Sequence, residues 1–126
     1  MNDNVQEADD RYRSLLESQL AMNKVTWVRM QELGVTDSTE LVLEFAYYAT
    51  QEIEARALER VLNAETDYAV EVGQLEDDVV WVVQGSTQPT TLTLEKLDQW
   101  VEWMVTVGLH NGCEFDGWGA PVGETR

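Results

Sequence analysis

An α+β fold, one antiparallel sheet with helices stacked on a single face, is predicted by three observations. The spacing of apolar residues switches between threes-and-fours and twos, in the order helix, then β-α-β-β-α-β. Each switch coincides with a turn-forming residue or polar cluster: Gly34, Thr50, "QLEDD", "STQPTT" and Asn111-Gly112. The chain has 126 residues, 44% of them hydrophobic, which suits one domain with one core.

The elements follow in order. Tyr12, Leu15, Leu16, Leu20, Trp27, Met30 and Leu33 recur at helical spacing between charged residues, so a helix runs from about Val5 to Leu33. Gly34 is placed to end it in a left-handed conformation. Such a helix is ~40 Å long at ~1.5 Å per residue, longer than a small domain is wide. Fraying, a break near Asn23 and packing against a second copy are all open outcomes at that length. "ELVLEFAYYAT" then changes period, with Leu41, Leu43, Phe45 and Tyr47 on one face of a strand. Thr50 is expected to cap the next helix, with Glu52 and Glu54 in its first turn. Ile53, Ala57, Leu58, Val61 and Leu62 form its expected buried stripe. "DYAVEVG" and "DVVWVVQG" read as two further strands. After Pro89, a second amphipathic helix from about Leu94 to Leu109 offers Leu94, Leu97, Trp100, Val101, Met104 and Val107 to the core. "CEFDGW" closes the series as a short strand. The βαββαβ order is that of a ferredoxin-like sandwich, here preceded by a long N-terminal helix. The expected organisation is a single domain over residues 1–126, with a helical extension at 1–34 and the sandwich core at 40–122.

Charge narrows the function. Asp and Glu number 24 against 8 Lys and Arg, a formal net charge of -16. Such a field repels nucleic-acid phosphates and anionic membranes and attracts basic partners; acidity serving solubility alone is the plainer reading. The single cysteine, Cys113, permits neither an intramolecular disulfide nor a cysteine-based zinc site. The segment "MNDNVQEADDRYRS" lacks the basic start and apolar run of a secretory signal. No apolar stretch approaches the ~20 residues that span a bilayer, so a cytoplasmic protein is expected.

Catalytic parts are missing from the pattern. His110 is the only histidine and sits beside a turn, and a general base needs an oriented partner. Cys113 reads as a small buried apolar residue at the start of the last strand. No phosphate-binding glycine loop or metal-ligand motif occurs, and the neighbouring acids of Asp9-Asp10 and Asp77-Asp78 point apart. The expectation is no enzyme, no cofactor and no metal. Tyr47, Tyr48 and Trp81 fall where RNA-recognition modules carry stacking aromatics. Glu44 and Glu71 occupy those strands where such modules place Lys and Arg, so direct nucleic-acid binding is not expected.

The stretch Glu114-Phe115-Asp116-Gly117-Trp118-Gly119 carries the most specific signal. Its glycines permit positive φ or close backbone approach, as a bulge requires, and Asp116 can bond nearby amides. Trp118 is then turned either onto the helices or outward as an interface anchor. This acidic-aromatic-Asp-Gly-Trp-Gly stretch on a last strand, within an acidic chain of this element order, resembles the regulator of ribonuclease activity B family (RraB), protein inhibitors of ribonuclease E. The resemblance spans roughly residues 15–122 and implies a non-catalytic protein that binds ribonuclease E or a related RNA-processing protein. Asp116, Gly117, Trp118 and Gly119, with the acidic loop Glu76, Asp77 and Asp78, are the candidate partner-binding residues. The carboxylates would engage Arg-rich, RNA-binding segments of that partner. Two alternatives stand beside it: a homodimeric assembly module, and an antitoxin- or immunity-like protein capping a basic partner.

Overall fold

The structure, a computed structural model, describes residues 3–75 and 80–121. Helix α1 (Asp3–Glu32) is one piece of 30 residues, ~45 Å long. It does not break at Asn23, and it packs along α3 (Leu94–His110), the last helix of its own chain. Trp27 and Met30 are buried there, with Tyr12, Leu15, Leu16 and Leu20 packed against the core. Leu33, expected in this stripe, is instead exposed. Gly34, at φ 103, closes the helix, and the Val35 amide donates back to the Met30 carbonyl at 3.0 Å. That backward bond satisfies a terminal carbonyl and turns Val35 into the core.

The first expected strand is two strands. β1 (Glu40–Leu41) pairs antiparallel with β5 (Thr90–Thr91), while β2 (Glu44–Ala49) enters the main sheet. Thr87 joins the two sheets: its amide donates to the Leu43 carbonyl at 2.9 Å and its hydroxyl accepts from the Leu43 amide at 3.1 Å. Leu41, Leu43, Phe45 and Tyr47 are all buried, as their alternation predicts.

Helix α2 (Glu52–Glu65) starts one residue later than a Thr50 cap requires; Gln51 stands at the cap and makes no side-chain cap bond. Its buried stripe is Ala55, Leu58 and Leu62. Ile53 is 70% exposed, and Ala57 and Val61 are only half-buried. At ~3.6 residues per turn, Ile53 lies on the far side of the helix from Ala55, so one of the two had to face solvent. The sheet takes the smaller residue, which lets the helix approach closely.

β3 (Ala69–Gln74) and β4 (Trp81–Ser86) form a hairpin whose residues 76–79 lie outside the described residues. Helix α3 (Leu94–His110) is capped by Thr93, whose side chain accepts from the Lys96 amide at 3.2 Å. Its fully buried residues are Leu97, Val101, Met104, Val105 and Gly108. Leu94, Trp100 and Val107, expected among them, line the edge of the core as half-buried side chains. Gly108 is there by necessity: a Cβ would come within 2.5 Å of the Tyr47 ring. β6 (Glu114–Gly119) ends the described fold.

The main sheet has the order β3-β4-β2-β6, antiparallel throughout. One face carries Phe45, Tyr47, Ala49, Val83 and Phe115, which are buried with the stripes of α2 and α3 in one cluster. The buried Tyr47 hydroxyl donates to the Met104 carbonyl at 2.9 Å, fastening the central strand to α3. By strand alternation, Glu44, Ala46 and Tyr48 on β2, Val82, Gln84 and Ser86 on β4, and Ala69, Glu71 and Gly73 on β3 share the opposite face. Among the described residues no helix packs over the centre of that second face, and it defines the open side of the domain.

Candidate functional site

The sequence points first to β6, and the structure explains its unusual residues. Tyr47 pairs with Phe115 while Ala46 pairs with Gly117, so Asp116 is an extra residue on β6, a β-bulge. Gly117 has φ +151, a conformation that side-chain-bearing residues rarely adopt, and nothing lies within 4 Å of its missing Cβ. The bulge therefore needs the glycine for backbone reasons alone. Gly119 pairs with Glu44 at the end of the strand.

Past the bulge, the strand turns Trp118 toward the helices. Its ring meets Trp100 edge-on at a centroid distance of 6.5 Å, and Nε1 donates to the Asn23 side-chain oxygen at 2.8 Å. The Asn23 amide nitrogen in turn donates to the Asp98 carboxylate at 2.9 Å. Asn23 is fully buried, so this chain is a polar clasp joining β6, α1 and α3. One turn earlier, Gln19 Nε2 donates to the Asp116 carbonyl at 3.3 Å. Earlier still, Arg11 forms an ion pair with Glu114 at 2.8 Å, both side chains exposed. Three successive contacts thus tie α1 along β6, the edge strand of the sheet.

Of the sequence-predicted residues, Asp116, Gly117, Trp118 and Gly119 meet at this seam. Glu76, Asp77 and Asp78 lie outside the described residues. Sequence reasoning missed Asn23, Gln19 and Asp98. The signal for Asn23 was present: it stands three residues after Leu20 and four before Trp27, a polar residue inside an apolar stripe.

Trp81, the third of the candidate stacking aromatics, pairs with Ala49 and so shares the inner face, where Tyr47 is also buried. Tyr48 alone of the three faces outward, 41% exposed. A single ring paired with Glu114, on a face that also carries Glu44, is a poor platform for a nucleic-acid strand.

A hollow of about 830 Å³ opens where β2 ends and β6 begins. Tyr48, Glu54, His110, Cys113 and Arg11 line it. Burial, and then the nearby Glu54, push the Cys113 thiol up to about 11. A thiol held protonated at neutral pH is a weak nucleophile, and its sulfur makes only long contacts to the Glu54 and Asn111 carbonyls. Among the described residues no group of three His, Cys, Asp or Glu is arranged to hold a metal ion, and no helix is long and apolar enough to cross a membrane.

The fold and seam define a class: a strongly acidic α+β protein whose most distinctive residues fasten an N-terminal helix to the edge of a sheet, with no helix over the centre of the sheet's other face among the described residues. The chain belongs to the regulator of ribonuclease activity B family, whose sequence model matches residues 21–120. Membership implies a part in regulating ribonuclease activity, and hence a protein partner. No curated protein matches the chain.

Proposed function

We propose that this protein is a non-catalytic, cytoplasmic inhibitor that binds ribonuclease E or a closely related RNA-processing protein through basic segments of that partner. The family supplies the target class, and the formal charge of -16 is the observation that carries the mechanism. A carboxylate-rich surface attracts the Arg-rich segments that ribonucleases use to hold RNA, and competes with RNA for them. Charge speeds encounter, and it is screened beyond a Debye length of ~8 Å at physiological ionic strength. The working organisation is one domain, a ferredoxin-like core at 40–122 preceded by a helical extension at 1–34, whose helix α1 (Asp3–Glu32) lies along the sheet edge. The strand order, with α2 and α3 as the crossovers between parallel strands, supports that reading. Gly117, Trp118 and Gly119 serve binding indirectly, by shaping the seam, while exposed carboxylates, Asp116 among them, make the contacts.

The test is RNA cleavage by ribonuclease E from the same organism, with and without this protein, at low and high salt. Slowed cleavage with salt-sensitive binding is expected. Absence of binding at low salt overturns the reading.

A second reading, a homodimer, draws on one observation: Met22, Val25 and Val28 on α1, and Leu33 just past its end, are exposed apolar residues. Sedimentation over a range of concentrations decides it, a concentration-independent monomer ruling the dimer out.

A further inference from the structure

The open face of the sheet is not flat. Two hollows of about 440 Å³ each adjoin there, sharing Glu44, Phe45 and Gln84. Together they make one shallow trough that crosses all four strands, from Glu71 on β3 to the Asp116–Trp118 bend of β6. Its far wall is α1, through Gln19, Met22 and Thr26. Small residues form the floor: Ala69, Ser86, Ala46 and Gly117. A face built of larger side chains would have no such depth.

Three carboxylates stand along it: Glu71, Glu44 and Asp116. All are exposed, and none takes part in an ion pair among the described residues. Glu114, on the same side of β6, is by contrast held by Arg11. The trough therefore combines room for side chains, an apolar flank at Met22, which is 57% exposed, and uncompensated negative charge.

We propose that this trough is the docking surface for an extended, arginine-bearing segment of the partner protein. The proposal rests on the partner being basic, and adds where and in what form it binds. Register fixes the spacing. Glu71 and Glu44 stand two strands apart and two residues out of step, which is roughly 12 Å with strands ~4.8 Å apart and ~3.4 Å per residue. An extended chain covers that distance in about four residues, and its side chains alternate in direction, so a segment crossing the strands with arginine or lysine at every fourth position meets both acids from one face. Arginine suits the site better than lysine: its stem lies over Ala46 and Gly117 while its planar head pairs with a carboxylate. An RNA strand is the wrong occupant, since its phosphates would face the same carboxylates.

The test compares two double variants with equal change in net charge. Glu44→Gln with Glu71→Gln empties the trough of charge while keeping side-chain shape. Glu95→Gln with Glu102→Gln does the same on the exposed surface of α3. Binding is measured by fluorescence anisotropy with a labelled synthetic peptide carrying arginine at every fourth position, and in parallel with ribonuclease E. The trough pair is expected to weaken the peptide roughly tenfold and the α3 pair less than about threefold. Ala46→Arg, which fills the trough, is expected to act like the trough pair, and circular dichroism checks that each variant is folded. Equal weakening by both pairs, or a trough pair that binds as well as the parent protein, overturns the proposal. Concentration-dependent self-association lost in Ala46→Arg would also overturn it, marking the trough as an interface between copies. If the peptide behaves as expected and ribonuclease E does not bind at all, the trough stands and the choice of partner falls. If ribonuclease E binds and is indifferent to the trough pair, the partner stands and the trough falls.

Discussion

Replacing Asn23 by Ala should detach α1 from the sheet edge at its midpoint. Two hydrogen bonds are lost: one from Trp118 Nε1 at 2.8 Å, and one to the Asp98 carboxylate at 2.9 Å. A neutral bond contributes ~1 kcal/mol and a bond to a charged group ~1.5–3 kcal/mol. Asp98 is half-exposed and can recover water, so the upper end of that range is not reached. The indole N–H, turned between Trp100 and α1, recovers water less readily. A loss of about 2–3 kcal/mol follows, which in a domain of this size lowers Tm by roughly 8–12 °C. Urea denaturation followed by far-ultraviolet circular dichroism gives the magnitude. A double-mutant cycle with Trp118→Phe isolates the link, because phenylalanine keeps a ring against Trp100 and removes only the donor. A coupling of about 1 kcal/mol is expected between the two. If Asn23→Ala costs less than ~0.5 kcal/mol, or the two substitutions add with no coupling, the clasp does not hold the helix and Trp118 is not its anchor.

The remaining expectations concern the core and the bulge. Gly108→Ala, a stabilising change in most helices by about 1 kcal/mol, should destabilise this one by ~1–3 kcal/mol, because the new methyl meets the Tyr47 ring at 2.5 Å; thermal denaturation reads the sign. Gly117→Ala should cost ~1–2 kcal/mol purely through its φ of +151, since the space beside it is empty. Tyr47→Phe should cost ~1–2 kcal/mol by removing the donor to the Met104 carbonyl. Cys113 has its thiol pushed up to about 11, from an ordinary value of 9.0, by burial and then Glu54. Folding favours the protonated thiol, so that contribution is complete below pH 9 and is lost as pH rises toward 11. Urea midpoints across that interval should fall in the native protein and fall less in Cys113→Ala, and thiol labelling at pH 8 should be slow until the protein is unfolded.

Periodicity alone located every long element within a few residues. A side chain's repeat of two or of three-to-four is a local property, and ends were marked by Gly34 and Asn111-Gly112, whose preferences are also local. The buried face of β2 was legible for the same reason. The orientation of α2 was not: Ile53 and Ala55 are both apolar, and only the distance at which the helix meets the sheet chose the alanine. The strand at 40–49 was divided by pairing with Thr90 and Thr91 and by Thr87 at the junction, contacts more than forty residues away in the chain.

Family membership, too, could be read from the sequence, since Asp116-Gly117-Trp118-Gly119 needs no coordinates to be recognised. The direction in which Trp118 faces depended on α1, which reaches it across 95 residues. A net charge of -16 is likewise a property of composition. The tertiary structure decided which carboxylates are paired among the described residues: Arg11 pairs with Glu114 at one end of β6, while Glu44, Glu71 and Asp116, in no ion pair there, line one face over a floor of small residues. Composition fixes how many carboxylates a chain carries, and pairing between distant strands determines which of them share a surface.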